Sequence, residues 1–330
     1  MATPLSGKPA PGRVALLAGG VGGARMAEGL ARVLPAGALT VIANVGDDER
    51  FYGLHVSPDI DTLIYTLSDR IDRAQGWGVR DDTVRALDVL RDLGAPTWMK
   101  LGDADFGLHI WRSWRLSQGA SLSEVTEAAA ERLGARARVL PATDDPLRTR
   151  LLADRGWMDF QPWFVGQRCA PRVEALAYEG AAAATAAPQA LDAITRAELI
   201  VIAPSNPLLS IEPILAVPGL RAAIEAAAAP VIAVSPLIGG KAVKGPLARL
   251  IADLGLEPGA AGIAARYGGL IDGFAVHESD EADIARVRAS GMAVLAADIL
   301  MPGPEAAERL ARALLAFAPQ LSRRRGGAAS

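Results

Sequence analysis

Residues 14–45 read VALLAGGVGGARMAEGLARVLPAGALTVIANV, and this stretch decides the fold. An apolar run, Val14 to Gly19, passes into the turn Gly19-Gly20-Val21-Gly22-Gly23-Ala24-Arg25, then into the helical stretch AEGLARVL, then into a second apolar run, Leu39 to Val45. Apolar runs without polar alternation suit strands covered on both faces, and a helix between two of them supplies the crossover of a parallel sheet. The chain therefore opens as a βαβ unit. Further on, AELIVIAPSNP (Ala197 to Pro207) and APVIAVSPLIGGK (Ala229 to Lys241) each run from strand to turn with a helix between, and are expected to join the same sheet. The predicted fold class is α/β, a doubly wound, mostly parallel, Rossmann-like sheet with a smaller α+β insertion.

The expected organisation is one α/β nucleotide-binding core over 13–140 and 196–320, with an irregular insertion or substrate subdomain over 141–195. Residues 1–12 read as a flexible lead-in and 321–330 as a flexible polar tail with solvated arginines. Within the core, DTLIYTLSDRI, DDTVRALDVLRDLG and SLSEVTEAAAERLG read as amphipathic helices. The second takes Asp81 or Asp82 as its N-cap and ends at Gly94. In the insertion, LLADRGWMDFQPWFVGQR reads as a small antiparallel piece. Ligands of open α/β sheets sit beyond the carboxyl ends of the strands. The loops at 19–25, 204–207 and 235–241, and the one after LTVIANV, are thus expected to crowd one edge.

Composition narrows the function. The 330 residues carry 34 Lys+Arg against 37 Asp+Glu, a formal charge of −3, which argues against a surface built to grip nucleic-acid phosphates. A lone cysteine, Cys169, excludes an intramolecular disulfide and a Cys-rich metal site and fits the cytoplasm. No signal peptide is read at the start. The longest uncharged run, Ala226 to Gly240, is broken by Pro230 and Pro236 and falls short of the about 20 residues of a membrane span, so no membrane association is expected.

The glycine-rich turn sits where bare backbone N–H groups and a helix dipole hold a phosphate. It departs from the dinucleotide fingerprint, because Arg25 stands where the third glycine belongs and the second strand ends in Asn44 instead of an acid. Asp47, Asp48, Glu49, Asp59 and Asp61 fall within 15 residues, where an even spread of 37 acids would place about two. Such an excess calls for a counterion, and magnesium held by one or two carboxylates and substrate phosphates supplies it. The plain alternative is a solvated loop with Asp59 or Asp61 as a helix N-cap. Lys100 to Asp105 with His109 makes a second polar cluster, and Pro141-Ala142-Thr143-Asp144-Asp145-Pro146 a third. His109 reads as a packed core residue or as a ligand or base. Pro204-Ser205-Asn206-Pro207 and Ser235-Pro236 with Lys241 offer hydroxyl, amide and ammonium groups to a nucleotide, or serve as plain turns. Trp111, Trp114 and Trp163 are candidates for an interface or for stacking on a flat ligand.

LLAGGVGGARM, IANVGDDERFYGLHVSPDIDTLIYTLSDRIDRAQGWG, LPATDDP, MDFQPWFVGQR, IAPSNPLLSIEPILAVPG and VSPLIGGKAVKGP, in this order, resemble the 2-phospho-L-lactate transferase family of coenzyme F420 biosynthesis. The resemblance implies a magnesium-dependent transferase. It would move a phospholactyl group, or a related phosphoenolpyruvyl or 3-phosphoglyceryl group, from a guanosine diphosphate ester of the lactyl-2-diphospho-5′-guanosine type. The acceptor would be the ribityl hydroxyl of 7,8-didemethyl-8-hydroxy-5-deazariboflavin, with release of GMP and formation of F420-0. It further implies metal ligation by Asp47 and Asp61, with Asp48 and Asp59 as alternates, and catalytic roles for Asp61, as general base, and Asp47. Substrate contacts would come from Gly20, Gly22, Gly23, Arg25, Asn44, Asp48, Asp59, Asp103, Thr143, Asp144, Ser205, Asn206, Ser235 and Lys241. Where the family usually reads LGDRD, this chain has Ala104, and a different acyl group or a compensating Arg112 are the two explanations weighed. Asp61→Asn is expected to lower turnover by orders of magnitude while the fold, judged by thermal melting, survives. A homodimer is left open. The alternatives are an NAD(P)-dependent oxidoreductase, disfavoured by Arg25 and Asn44, and a nucleotide-binding module without catalysis.

Overall fold

A computed structural model describes residues 11–323. The expected lead-in lies almost wholly outside them, as does most of the expected tail. Seven strands form the central sheet: β1 (Val14–Ala18), β2 (Leu39–Ala43), β3 (Arg138–Pro141), β4 (Leu199–Ile202), β5 (Val231–Val234), β6 (Gly273–His277) and β7 (Ala293–Ala297). Their spatial order is β7-β6-β5-β4-β1-β2-β3, and every neighbouring pair is parallel. β1, β4 and β5 are buried at every position, as strands covered on both faces require.

The chain winds from β1 outward to β2 and β3, then returns to place β4 on the other side of β1. The switch point of the sheet therefore lies between β1 and β4, and the crevice beyond their carboxyl ends is where such folds receive ligands. Around the sheet stand α1 (Gly20–Val33), α2 (Pro58–Leu67), α3 (Arg85–Asp92), α4 (Asp103–Ser117) and α5 (Leu122–Leu133). α1 packs against α2 and against the C-terminal helix Pro304–Phe317. Arg148–Ala153, Gly156–Asp159 and Val173–Glu179 form a separate antiparallel sheet within 141–195. Residues Pro162–Gly166, inside the predicted antiparallel piece, are helical instead.

Two local expectations change. α3 is capped by Asp103, which accepts from the N–H groups of Arg85 (3.2 Å) and Ala86 (2.9 Å), and Asp82 turns the other way to accept from Ala104 N–H (2.9 Å) at the start of α4. Arg323 is not a solvated tail arginine. Its guanidinium meets the Asp272 carboxylate at 3.0 Å and donates to the carbonyls of Glu225 and Ala227, both at 3.1 Å, and of Ile224. Among the described residues no single helix is long and apolar enough to cross a membrane, although the bent pair Pro207–Ala216 and Leu220–Ala226 passes on length and composition when taken together.

Candidate active site

Beyond the carboxyl ends of β1, β2 and β4 lies a cavity of about 470 Å³, a size that suits a small-molecule ligand. Its floor is the start of α1. Gly22 approaches the β4 loop so closely that a Cβ there would fall 2.4 Å from the Pro204 carbonyl oxygen, and a Cβ on Gly19 would fall 2.2 Å from an Asp59 oxygen. The glycine-rich turn is therefore less a free loop than the first turn of a helix pressed against two neighbours. Ser205 Oγ joins the two strand ends, donating to Gly19 O (2.7 Å) and accepting from Gly19 N–H (3.2 Å).

The acidic segment meets this floor. α2 begins with Pro58 in its first turn, which suits the fixed φ of proline, and so presents Asp59 and Asp61 from the helix start. Asp59 Oδ1 accepts from the Gly20 N–H at 2.6 Å, so this carboxylate caps α1 and not its own helix. Asn44 Nδ2 donates to Asp59 Oδ2 at 3.0 Å and lies 3.3 Å from Asp47 Oδ1. Two buried carboxylates thus share one amide. Burial raises Asp47 well above the usual carboxylate range, and the charge of Asp59 raises it further. Burial pushes Asp59 up to about 6 despite the hydrogen bonds from Asn44 and Gly20.

Asp61 is different. Burial drives its pKa upward, but the Arg112 guanidinium and His109 outweigh that and hold it well below the usual range. Arg112 grips it with both terminal nitrogens, Nη1 at 3.2 Å from Oδ2, and His109 Nε2 stands 3.1 Å from Oδ2. Arg112 is 1% exposed, so this is a buried ion pair, and the guanidinium is committed to Asp61 instead of compensating for Ala104. Ala104 itself does not line the cavity. His109 belongs to both of its readings, since it is packed at 2% exposure and also lines the cavity.

Much of the remaining wall is apolar. Phe160 and Phe164 stack with ring centroids 5.1 Å apart, and Trp77, Met99, Leu101 and Tyr65 line the same space. Tyr65 belongs to the helical stretch DTLIYTLSDRI, whereas Trp77, Met99 and Leu101 come from irregular segments and Phe160 and Phe164 from the short helical segment after Gly156–Asp159, where no periodic pattern marked them.

The sequence profile of the family described as 2-phospho-L-lactate transferase CofD matches residues 14–313. The chain belongs to the CofD family. Relatives called phosphoenolpyruvate transferase include that of Kitasatospora aureofaciens, 44% identical over 316 residues and covering 94% of this chain and 98% of the relative. That of Streptomyces coelicolor is 41% identical and covers 94% and 99%, and that of Mycolicibacterium smegmatis is 38% identical and covers 93% and 98%. A crystal structure of a UPF0052 family member from Bacillus halodurans shares the fold, with a TM-score of 0.63 at 16% identity over 92% of this chain and 99% of that one. This CofD-family chain is accordingly a transferase, and the oxidoreductase and non-catalytic alternatives fall away.

Of the residues singled out in sequence, Gly20, Gly22, Asp47, Asp59, Asp61, Ser205 and Asn206 line the CofD-family cavity, with Asn44 buried directly behind its carboxylates. Others lie elsewhere. Gly23 is packed beneath Ser205, and Asp48 is occupied by Ser57 (2.8 Å) and His55 (2.9 Å). Arg25 donates to the Met301 carbonyl at 2.8 Å. Asp103 caps α3, Thr143 Oγ1 donates to the Thr185 carbonyl at 2.6 Å, and Asp144 accepts from Ser123 N–H at 2.6 Å. Ser235 closes its own turn with Leu237, and Lys241 is exposed on a two-stranded turn. The 235–241 loop therefore does not reach the cavity, which is lined instead by Lys244, Gly245 and Pro246 just beyond it. Trp163 is fully buried, and neither Trp111 nor Trp114 lines the site.

Proposed function

We propose that this chain transfers a phosphoenolpyruvyl group from a guanosine diphosphate ester to the ribityl hydroxyl of 7,8-didemethyl-8-hydroxy-5-deazariboflavin, releasing GMP. The observation that carries the reading is the buried Asp47–Asp59 pair at the N-terminus of α1, inside a cavity with an aromatic wall. Relatives at 38–44% identity bear the name phosphoenolpyruvate transferase, which favours this acyl group over phospholactyl or 3-phosphoglyceryl.

Among the described residues no cluster of three or more His, Cys, Asp or Glu is disposed around one metal position. Magnesium fits such a site, since it commonly takes one or two carboxylates and completes its shell with water and substrate phosphate. Asp47 and Asp59 suit it as ligands, because both carry charge that burial and mutual repulsion penalise. Asp61, already neutralised by Arg112, does not need it. The metal would neutralise charge developing on the diphosphate oxygens. The backbone N–H groups of Val21 and Gly22, next to the Gly20 N–H that Asp59 occupies, would hold the phosphates, and Phe160, Phe164 and Trp77 exclude water and face the flat acceptor. Asp61, kept ionised, accepts a hydrogen bond from the acceptor hydroxyl and orients it. A carboxylate held so acidic is a weak base, but a loose phosphoryl transition state needs orientation more than deprotonation.

The test is mass spectrometry of the product formed from the deazaflavin with each of the three guanylylated acids in magnesium buffer. The phosphoenolpyruvyl adduct should dominate, and chelation of the metal should stop it. Preference for phospholactyl would remove the donor assignment, and no adduct from any donor would remove the reaction.

A further inference from the structure

Four carboxylates line the cavity, from Asp47, Asp59, Asp61 and Asp105, and among the described lining residues the ammonium groups are those of Lys100 and Lys244. Both lysines hang on one residue. Lys244 Nζ donates to the Gln75 backbone carbonyl at 2.5 Å, and Lys100 Nζ to Gln75 Oε1 at 3.4 Å. Gln75 is fixed from behind by Asp72, which accepts from its amide nitrogen at 2.6 Å and from its N–H at 3.2 Å. The chain then turns through Gly76 at φ 77°, where a Cβ would lie 3.0 Å from Val21 and 3.3 Å from Lys244 Nζ. The turn is thus bare of a side chain where the ammonium enters. Lys100 also stands 5.6 Å from the centroid of the Trp77 ring.

Among the described residues neither lysine forms an ion pair. Asp72, which feels the Lys100 charge, spends its carboxylate on Ala74 and Gln75. Burial and the neighbouring Arg25 charge both act against the Lys244 ammonium. An ammonium held only by neutral oxygens has most to gain from an anion, because charge-assisted hydrogen bonds are roughly twice as strong as neutral ones. Each of the three candidate acids carries a carboxylate, on the carbon that bears the phosphoester oxygen in the phosphoenolpyruvyl and phospholactyl groups and one carbon further away in the 3-phosphoglyceryl group. With the diphosphate assigned to the Asp47–Asp59 end, that carboxylate still needs cations.

We propose that Lys100 and Lys244 form the carboxylate subsite of the cavity, gripping the carboxylate of the transferred acid in place of the two Gln75 oxygens. The proposal rests on the transfer reaction above and names what makes it selective for a phosphorylated carboxylic acid.

The experiment compares the phosphoenolpyruvyl donor with its isopropenyl analogue, in which methyl replaces the carboxylate, using the full chain and Lys100→Met/Lys244→Met. Methionine keeps most of the apolar stem. The wild type should favour the carboxylated donor, and the double variant should lose about tenfold to a hundredfold of that preference in kcat/KM, the worth of one or two charged hydrogen bonds. Titration of GDP with magnesium should give equal affinity in both proteins. A preference unchanged by the substitutions overturns the subsite, and an equally large loss of GDP affinity moves the lysines to the diphosphate and overturns it too. Calorimetric titration of phosphoenolpyruvate without metal is independent of turnover: the wild type should bind it at least tenfold more tightly than the double variant. If no guanylylated donor reacts, the transfer reading fails and this titration alone decides, with equal or absent binding overturning the subsite.

Discussion

Asp59 and Asp61 stand two positions apart on α2 and have opposite electrostatics. Asp61 gains more from Arg112 and His109 than burial takes away. Removing its charge leaves a guanidinium of 1% exposure without its carboxylate, and breaking one side of a buried pair costs about 3–5 kcal/mol. Asp61→Asn should therefore lower stability by about 3 kcal/mol in urea denaturation, while Asp61→Leu/Arg112→Leu recovers much of the loss. The fold of Asp61→Asn is thus expected to survive at lower stability, and a wild-type midpoint for that variant would contradict this. Asp59 has a folded pKa of about 6 against a usual 3.8. Between those values the folded chain keeps a proton that the unfolded chain has lost, so stability falls as pH rises from about 4 to about 6. Asp59→Asn should flatten that slope without abolishing it, because the pKa of Asp47 is raised as well. Identical pH slopes for variant and wild type would show that Asp59 is not held in this way.

At the scale of elements, legibility followed the distance over which a feature is set. α5 begins at Ser121 and Glu124, which cap each other's backbone, and ends at Gly134 with φ 82°; all these signals lie within the segment itself. The cap of α3 was misread because that helix is capped by Asp103, the first residue of α4, while Asp82, just before α3, caps the start of α4. Such an exchange depends on how the two helix starts face one another, which no local pattern encodes. The contact between α1 and the helix Pro304–Phe317 is of the same kind. Gly29 has no special turn to make, yet a Cβ there would fall 2.3 Å from the Ala307 carbonyl oxygen. Gly29→Ala should force the two helices apart and cost about 1–3 kcal/mol, as overpacking does, despite its better helix propensity. A variant as stable as wild type in urea would mean that the helices yield without strain.

Over the whole molecule, long-range ties hold the last described segment to the sheet. Arg323 joins the Asp272 carboxylate to the carbonyls ending Leu220–Ala226, and its side chain is 13% exposed. Arg323→Ala should cost about 2–3 kcal/mol, since several hydrogen bonds to a charged donor are lost at once. Thermal unfolding at the wild-type temperature would refute that.

The sequence by itself determined the parallel sheet, because β-branched runs and an intervening helix are local patterns set by backbone and side-chain chemistry. It also marked the glycine turn, the aspartates and the APSNP loop, whose residue types are unusual where they stand. Only the tertiary structure decided which aspartates share a site and which one is neutralised by Arg112, as that pairing joins α2 to α4 across 51 positions. It likewise decided that Lys244 and not Lys241 reaches the cavity, and that Phe160 and Phe164 form its wall and not the expected tryptophans. Burial and Coulomb interaction depend on distances in space, and two residues that look alike along the chain acquire different charges and roles only when folding sets what surrounds them.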